Sequence, residues 1–150
     1  MKNLYSLMRK RGLILAGIAA LGVSGSAFAQ NKAIDFKQGN PFSDGFVAGN
    51  TLYVAGQQGP DAKGDVTSTD ITVQTHNAIE AVRKVVEKAG FKMSDLVSVT
   101  VYVADLNDVK KMNEVYIKEM PNPKPARATV KVAGLIGGAK IEISAIAVKQ

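Results

Sequence analysis

Hydrophobic and polar residues alternate along Val97-Ser98-Val99-Thr100-Val101-Tyr102-Val103, the pattern of a strand with one buried face. Lys140 to Val148 alternates in the same way. Ile141, Ile143, Ala145 and Ala147 take its apolar side, so Glu142 takes the other. After Pro125, Ala128, Val130 and Val132 point one way and Arg127, Thr129 and Lys131 the opposite way. On parity, Arg127 and Glu142 therefore share the face away from the core. The turn-prone run Gly134-Leu135-Ile136-Gly137-Gly138 predicts that these last two strands form an antiparallel hairpin. Upstream, Phe46-Val47-Ala48 and Thr51 to Ala55 flank Gly49-Asn50, a tight-turn hairpin signature. A first strand is expected around Ile34-Phe36.

The pattern switches to helical spacing twice. Asp70 is a predicted cap for a helix whose stripe Ile79, Val82, Val86 and Ala89 is stopped by Gly90. Asp105 to Met120 is a second amphipathic helix with Val109, Met112 and Tyr116 on one side, ended by Pro121. The order β-β-β-α-β-α-β-β predicts an α+β domain, a mostly antiparallel sheet with two helices packed on one face. The sheet's other face carries Ser98, Thr100, Tyr102, Thr129 and Ser144, but also Ile146 and Val148. A half-apolar face of this kind predicts a homo-oligomer.

Residues 1–29 do not belong to that domain. Lys2, Arg9, Lys10 and Arg11 precede an apolar run from Leu13 to Val23, and Ala27-Phe28-Ala29 follows. This is the order of a secretory signal peptide, with cleavage expected before Gln30 and residues 30–150 forming the mature domain. The apolar run is short for a membrane span, so no stable membrane anchor is expected, and a periplasmic location follows. The charge changes accordingly. The full chain has 19 Lys and Arg against 13 Asp and Glu, a net charge of +6, but four of the basic residues lie in the leader. The mature domain is left near +2, which removes the electrostatic argument for a nucleic-acid partner.

Few side chains remain for chemistry. With no cysteine in the chain, disulfides, thiolate nucleophiles and Cys-based metal sites are excluded. His76 is the single histidine, placed in the first helix as a surface or packing residue, and no metal site is expected. Gly56-Gln57-Gln58-Gly59 and Gly137-Gly138 lack the spacing of a phosphate-binding loop. Tyr53, Tyr102 and Tyr116 keep core-like company rather than lining a basic groove. Arg127 stands out: a guanidinium can hold a small carboxylate by two parallel hydrogen bonds, and a nearby Glu142 can move protons. Parity alone favours the plainer alternative, a strand-to-strand ion pair.

Three motifs taken together resemble the Rid/YjgF group of reactive-intermediate (enamine/imine) deaminases. They are Gly49 to Gln57, then Asn113-Glu114-Val115-Tyr116, then Pro125-Ala126-Arg127 through Ala147, in the family's order across the mature chain. The resemblance implies a chorismate-mutase-like fold and a homotrimer with ligand clefts between subunits. It implies hydrolysis of small 2-imino acids to 2-keto acids and ammonia, without a cofactor. Arg127 falls on the arginine that holds the substrate carboxylate, and Glu142 on the glutamate that positions water. Thr129 takes the place of a frequent cysteine and joins Glu142 in the implied catalytic set. Phe42, Ala55 and Gly56 join Arg127 in the implied substrate-binding set. Asn113 matches an asparagine that supports the fold. Phe42 stands where the deaminases usually have tyrosine, and Ala55 where they usually have serine, so two hydroxyls are missing. A slow enzyme is expected. The alternatives are a non-catalytic module that binds or senses small carboxylates, and a stress-activated holdase. A ribonuclease role is the weakest of these.

Overall fold

Residues 31–67 and 70–150 are described by the computed structural model; the signal peptide expected over residues 1–29 lies outside them. The strands are β1 (Lys32–Ile34), β2 (Gly45–Ala48), β3 (Thr51–Gln58), β4 (Leu96–Val103), β5 (Ala126–Lys131) and β6 (Ile141–Val148). The helices are α1 (Ile71–Lys88) and α2 (Val109–Glu119). The expected element order is the observed one, with the first strand slightly earlier in the chain than Ile34–Phe36.

The local signals act as the physics requires. The Asp70 carboxylate accepts the backbone N–H groups of Thr72 at 2.8 Å and Val73 at 3.1 Å, satisfying two of the donors that a helix start leaves open. Its pKa is held below the ordinary carboxylate value, first by the Thr72 hydroxyl and then by the Val73 amide. Gly90 ends the segment with φ +80°, a conformation that glycine takes without strain. A short 3₁₀ turn, Leu106–Asp108, capped by Asp105, leads into α2. No helix among the described residues is long and apolar enough to cross a membrane.

All six strands form one sheet in the order β1-β2-β3-β6-β4-β5. Every pairing is antiparallel except β4 with β5. Ile79, Val82 and Val86 of helix α1 share one buried core with Leu52 and Val54 of β3, Val99 and Val101 of β4, and Ile141 and Ile143 of β6. Each such side chain contributes about 1.5–3 kcal/mol, and this layer fixes which face of each strand is inner. The outer face carries Ser98, Thr100, Tyr102, Ser144, Ile146 and Val148, all half-buried.

The expected hairpin of the last two strands does not form. Strand β5 pairs in parallel with β4, while β6 enters between β3 and β4. Two causes act together. A helix connects β4 to β5, and a helical crossover of this kind joins parallel neighbours. The alternation Ile141, Ile143, Ala145, Ala147 earns most burial in a central strand, while Ala126 to Lys131, with two charges, suits an edge. The loop between them passes over the end of β4. There the Val132 N–H donates to the Val103 carbonyl and the Ala104 N–H to that of Lys140, both at 3.0 Å.

The register also corrects the parity argument. Arg127 pairs with Val99 and Thr129 with Val101, so both point to the helix side, not to the outer face. Glu142 pairs with Tyr102 and Gln58, on the outer face. Polar and apolar residues in β5 do not report burial, because an edge strand is covered poorly on either side. Two smaller corrections have local causes. Val97 is exposed and Leu96 buried because the register shifts between Leu96 and Ser98. Tyr53 is 50% exposed on the outer face rather than in the core.

Candidate active site

The site residues expected from sequence fall into two groups. The first is built at the ends of β3 and β6. Along β3, Val54 pairs with Ala145 but Gln57 pairs with Ile143. Two residues, Ala55 and Gly56, therefore oppose the single residue Ser144. This is a β-bulge, which re-aims the side chains beyond it. One residue of slippage exchanges the faces of a strand, so Gln58 comes to lie on the outer face beside Glu142.

Gly56 makes the room that Glu142 occupies. A β-carbon at position 56 would sit 2.1 Å from Glu142 Oε1 and 2.6 Å from its carboxyl carbon. The other carboxylate oxygen, Oε2, accepts a hydrogen bond from Gln58 Nε2 at 3.1 Å. Gln58 Nε2 also donates to the Ile136 carbonyl at 3.1 Å. Phe42, Gly56, Gln58, Val66, Ile136 and Glu142 contribute to the lining of one cavity of about 510 Å³. Phe42 and Ile136 present large apolar surfaces there, 58% and 86% exposed, and Glu142 supplies a carboxylate. Ala55 sits half-buried in the bulge next to this cavity.

The second group lies on the helix side of the sheet edge. The Arg127 guanidinium stacks over the Tyr116 ring of α2, 4.4 Å from its centroid, an attraction that orients it while leaving its N–H fork exposed. Burial pushes the Tyr116 phenol above its ordinary pKa, an effect that the Arg127 charge opposes. Four side-chain oxygens among the described residues, Asn113 Oδ1, Tyr116 Oη, Glu119 Oε2 and Thr129 Oγ1, are buried without a hydrogen-bond partner. Unpaired buried acceptors are uncommon and costly. At the end of α2, Glu119 Oε1 accepts a 2.8 Å hydrogen bond from His76 Nδ1 of α1, so the lone histidine ties the two helices together.

Arg127 and Glu142 are thus both present but on opposite faces of the sheet. Among the described residues no carboxylate lies within ion-pair distance of Arg127, and the strand-to-strand ion pair is absent. Nor do three His, Asp or Glu side chains among them converge as metal ligands. Sequence reasoning missed Gln58 and Tyr116 as neighbours of the two charged groups. A glycine inside an apolar strand, Gly56, was the available signal for a bulge and hence for Gln58. Nothing in the spacing marks Tyr116 as more than a core residue.

Comparison with known proteins decides the family. The model described as endoribonuclease L-PSP matches residues 32–149. The chain belongs to this Rid/YjgF family. A RutC family protein of Pyrococcus horikoshii is 43% identical over 111 residues, 73% of this chain and 88% of that protein. The 2-iminobutanoate/2-iminopropanoate deaminase of Salmonella typhimurium is 38% identical over 113 residues, covering 73% and 88% of the two chains. In structure, RidA from the Antarctic bacterium Psychrobacter matches with a TM-score of 0.69 at 32% identity, over 79% of this chain and 94% of that one. The Rid-type order of strands and helices is therefore the family's own, consistent with the chorismate-mutase-like α+β class.

Proposed function

We propose that the protein hydrolyses small 2-imino acids to 2-keto acids and ammonia, at a site completed between copies of the chain in a homotrimer. The names of relatives such as the Salmonella deaminase support the reaction class. The observation that carries the composite site is the separation of Arg127 and Glu142 onto opposite faces of one sheet. A single copy offers a carboxylate grip without a base, and a base without a grip. A neighbouring copy that lays its β5 edge against the cavity at Glu142 supplies the missing half of each. The half-apolar outer face, with Tyr53, Ile146 and Val148, is the surface available for such packing.

In the reaction, Arg127 of one copy binds the substrate carboxylate through its fork. This aims the C=N carbon into the cavity of the other copy. Glu142 takes a proton from water as the water oxygen bonds to that carbon, and the C=N pair moves to nitrogen. The proton is returned to nitrogen, giving a carbinolamine; Glu142 then carries the hydroxyl proton to the same nitrogen as the C–N bond breaks, the C=O bond of the keto acid forms and ammonia leaves. Thr129 offers a hydroxyl beside the carboxylate grip. The domain of residues 30–150 performs this work in the periplasm after loss of the leader.

Phe42 and Ala55 favour a second reading, a carboxylate-binding module without turnover, because neither side chain can donate or accept a hydrogen bond at the cavity. Purified residues 30–150 should accelerate imine hydrolysis, and Arg127→Ala should abolish the acceleration. Saturable 2-ketobutyrate binding by calorimetry without turnover would favour the second reading.

A further inference from the structure

We infer that Gln58 is the positioning residue for Glu142, and that the bulge at Ala55-Gly56 exists in this chain to deliver it. The inference rests on the proposed role of Glu142 as proton acceptor, and it adds the group that holds that carboxylate in place. Three observations converge on Gln58. The register shift between Val54 and Gln57 turns its side chain to the Glu142 face. Its Nε2 then meets two groups that can only accept: Glu142 Oε2 and the Ile136 carbonyl, each at 3.1 Å. An amide nitrogen has two N–H donors, so both are used and the amide can face only one way.

The carboxylate is consequently fixed on both sides. Gln58 holds Oε2, and Oε1 fills the notch that Gly56 leaves. The same amide nitrogen fastens the turn Ile136–Gly138, whose first residue projects into the cavity at 86% exposure. One side chain thus sets the aim of the base and the position of an apolar wall together. The neighbouring Gln57 is differently employed, since its Nε2 donates to the Ala55 carbonyl at 3.3 Å. It serves as an internal control.

The test has an arm that needs no turnover. In ¹⁵N-labelled protein, Glu142→Ala should move the side-chain amide resonances of Gln58 and leave those of Gln57 in place. In the kinetic arm, Gln58→Leu keeps the bulk and removes both donors. It should lower kcat for imine hydrolysis about tenfold, the loss expected for one hydrogen bond to a charged group, with KM changed less than about twofold. On a Glu142→Gln background it should have no further effect, because the two residues act as a unit. Gln58→Asn, one methylene too short to reach, should behave like Gln58→Leu and replaces it should that variant fail to fold. Unmoved Gln58 resonances in Glu142→Ala overturn the inference, as does a Gln58→Leu loss repeated in full on the Glu142→Gln background. A parent protein that hydrolyses no imine would refute the deaminase reading instead, and the amide resonances alone would then decide whether Gln58 positions Glu142.

Discussion

Gly56→Ala should disable the site while leaving the fold almost as stable as the parent's. The added β-carbon would lie 2.1 Å from Glu142 Oε1, 2.6 Å from the carboxyl carbon and 3.0 Å from Cγ. Reaching an ordinary contact of 3.4 Å requires the oxygen to retreat by about 1.3 Å. The Gln58 bond, already 3.1 Å long, cannot absorb that movement and breaks. A hydrogen bond to a charged group contributes about 1.5–3 kcal/mol when its loss leaves the group dry. Glu142 is only half-buried, so water replaces the lost partner and the net cost should stay near 1 kcal/mol. Misplacing a catalytic group by about 1 Å, in contrast, costs on the order of a hundredfold in rate. Gly59→Ala is the matched control. Its β-carbon would lie 1.9 Å from the Gln74 carbonyl oxygen, which is held in α1 and cannot swing away. Overpacking against fixed backbone should cost at least about 1–3 kcal/mol. Urea melts of both variants, beside imine-hydrolysis rates at saturating substrate, separate the two effects. The reasoning fails if Gly56→Ala works at the parent's rate, or if it loses as much stability as Gly59→Ala.

Arg127→Ala should weaken 2-ketobutyrate binding at least about tenfold by calorimetry, since one charge-assisted hydrogen bond exceeds 1.4 kcal/mol; Arg127→Lys should recover only part, because an ammonium lacks the planar fork. Asp70→Asn should lower the melting temperature at neutral pH. Because the pKa of Asp70 is depressed in the folded state from an ordinary 3.8, its contribution is present above that value and lost as pH falls through the lower folded one. Melts from pH 7 to 2 should show the two proteins converging at the acid end. Light scattering at micromolar concentration should give three times the protomer mass, and a monomer would remove the composite site. Intact-mass analysis of periplasmic protein should find a chain beginning at Gln30; one beginning at Met1 would refute the export reading.

The inner half of this fold was legible because its signals are redundant. Period-two runs, two helical stripes, the Asp70 cap and the Gly90 stop each mark their element independently, and each stands in the structure. Strand pairing was not legible. Alternation states which residues share a face of one strand, and it is silent on which strands are neighbours. The hairpin expected for β5 and β6 followed from a glycine-rich turn, but the competing crossover through α2 was the stronger constraint. Parity then failed for Arg127 because it assumed that apolar β5 residues face the core. At an edge this assumption has little energy behind it: Ala126, Ala128 and Val130 are exposed on the outer side, and Arg127 finds Tyr116 on the inner. Glu142, in a central strand whose alternate residues are fully buried, was placed correctly by the same rule.

The two charged residues differ in what holds them, and the difference fits the roles proposed for them. A base must be aimed, and Glu142 is fixed by a bulge, a glycine notch and an amide whose positions are all set by central strands. A grip for a carboxylate has to bring its own orientation to an incoming ligand, and Arg127 can do so from an edge strand by lying over a buried ring. That ring belongs to α2, which packs on α1, and the His76–Glu119 contact joins the same two helices. The geometry of the grip is therefore tied to the helix layer and that of the base to the sheet. Within one copy no movement of either layer short of unfolding can bring them to the same side. Under the proposed mechanism, bringing them together requires a second copy, so association would be a condition for that chemistry, beyond any stability it adds.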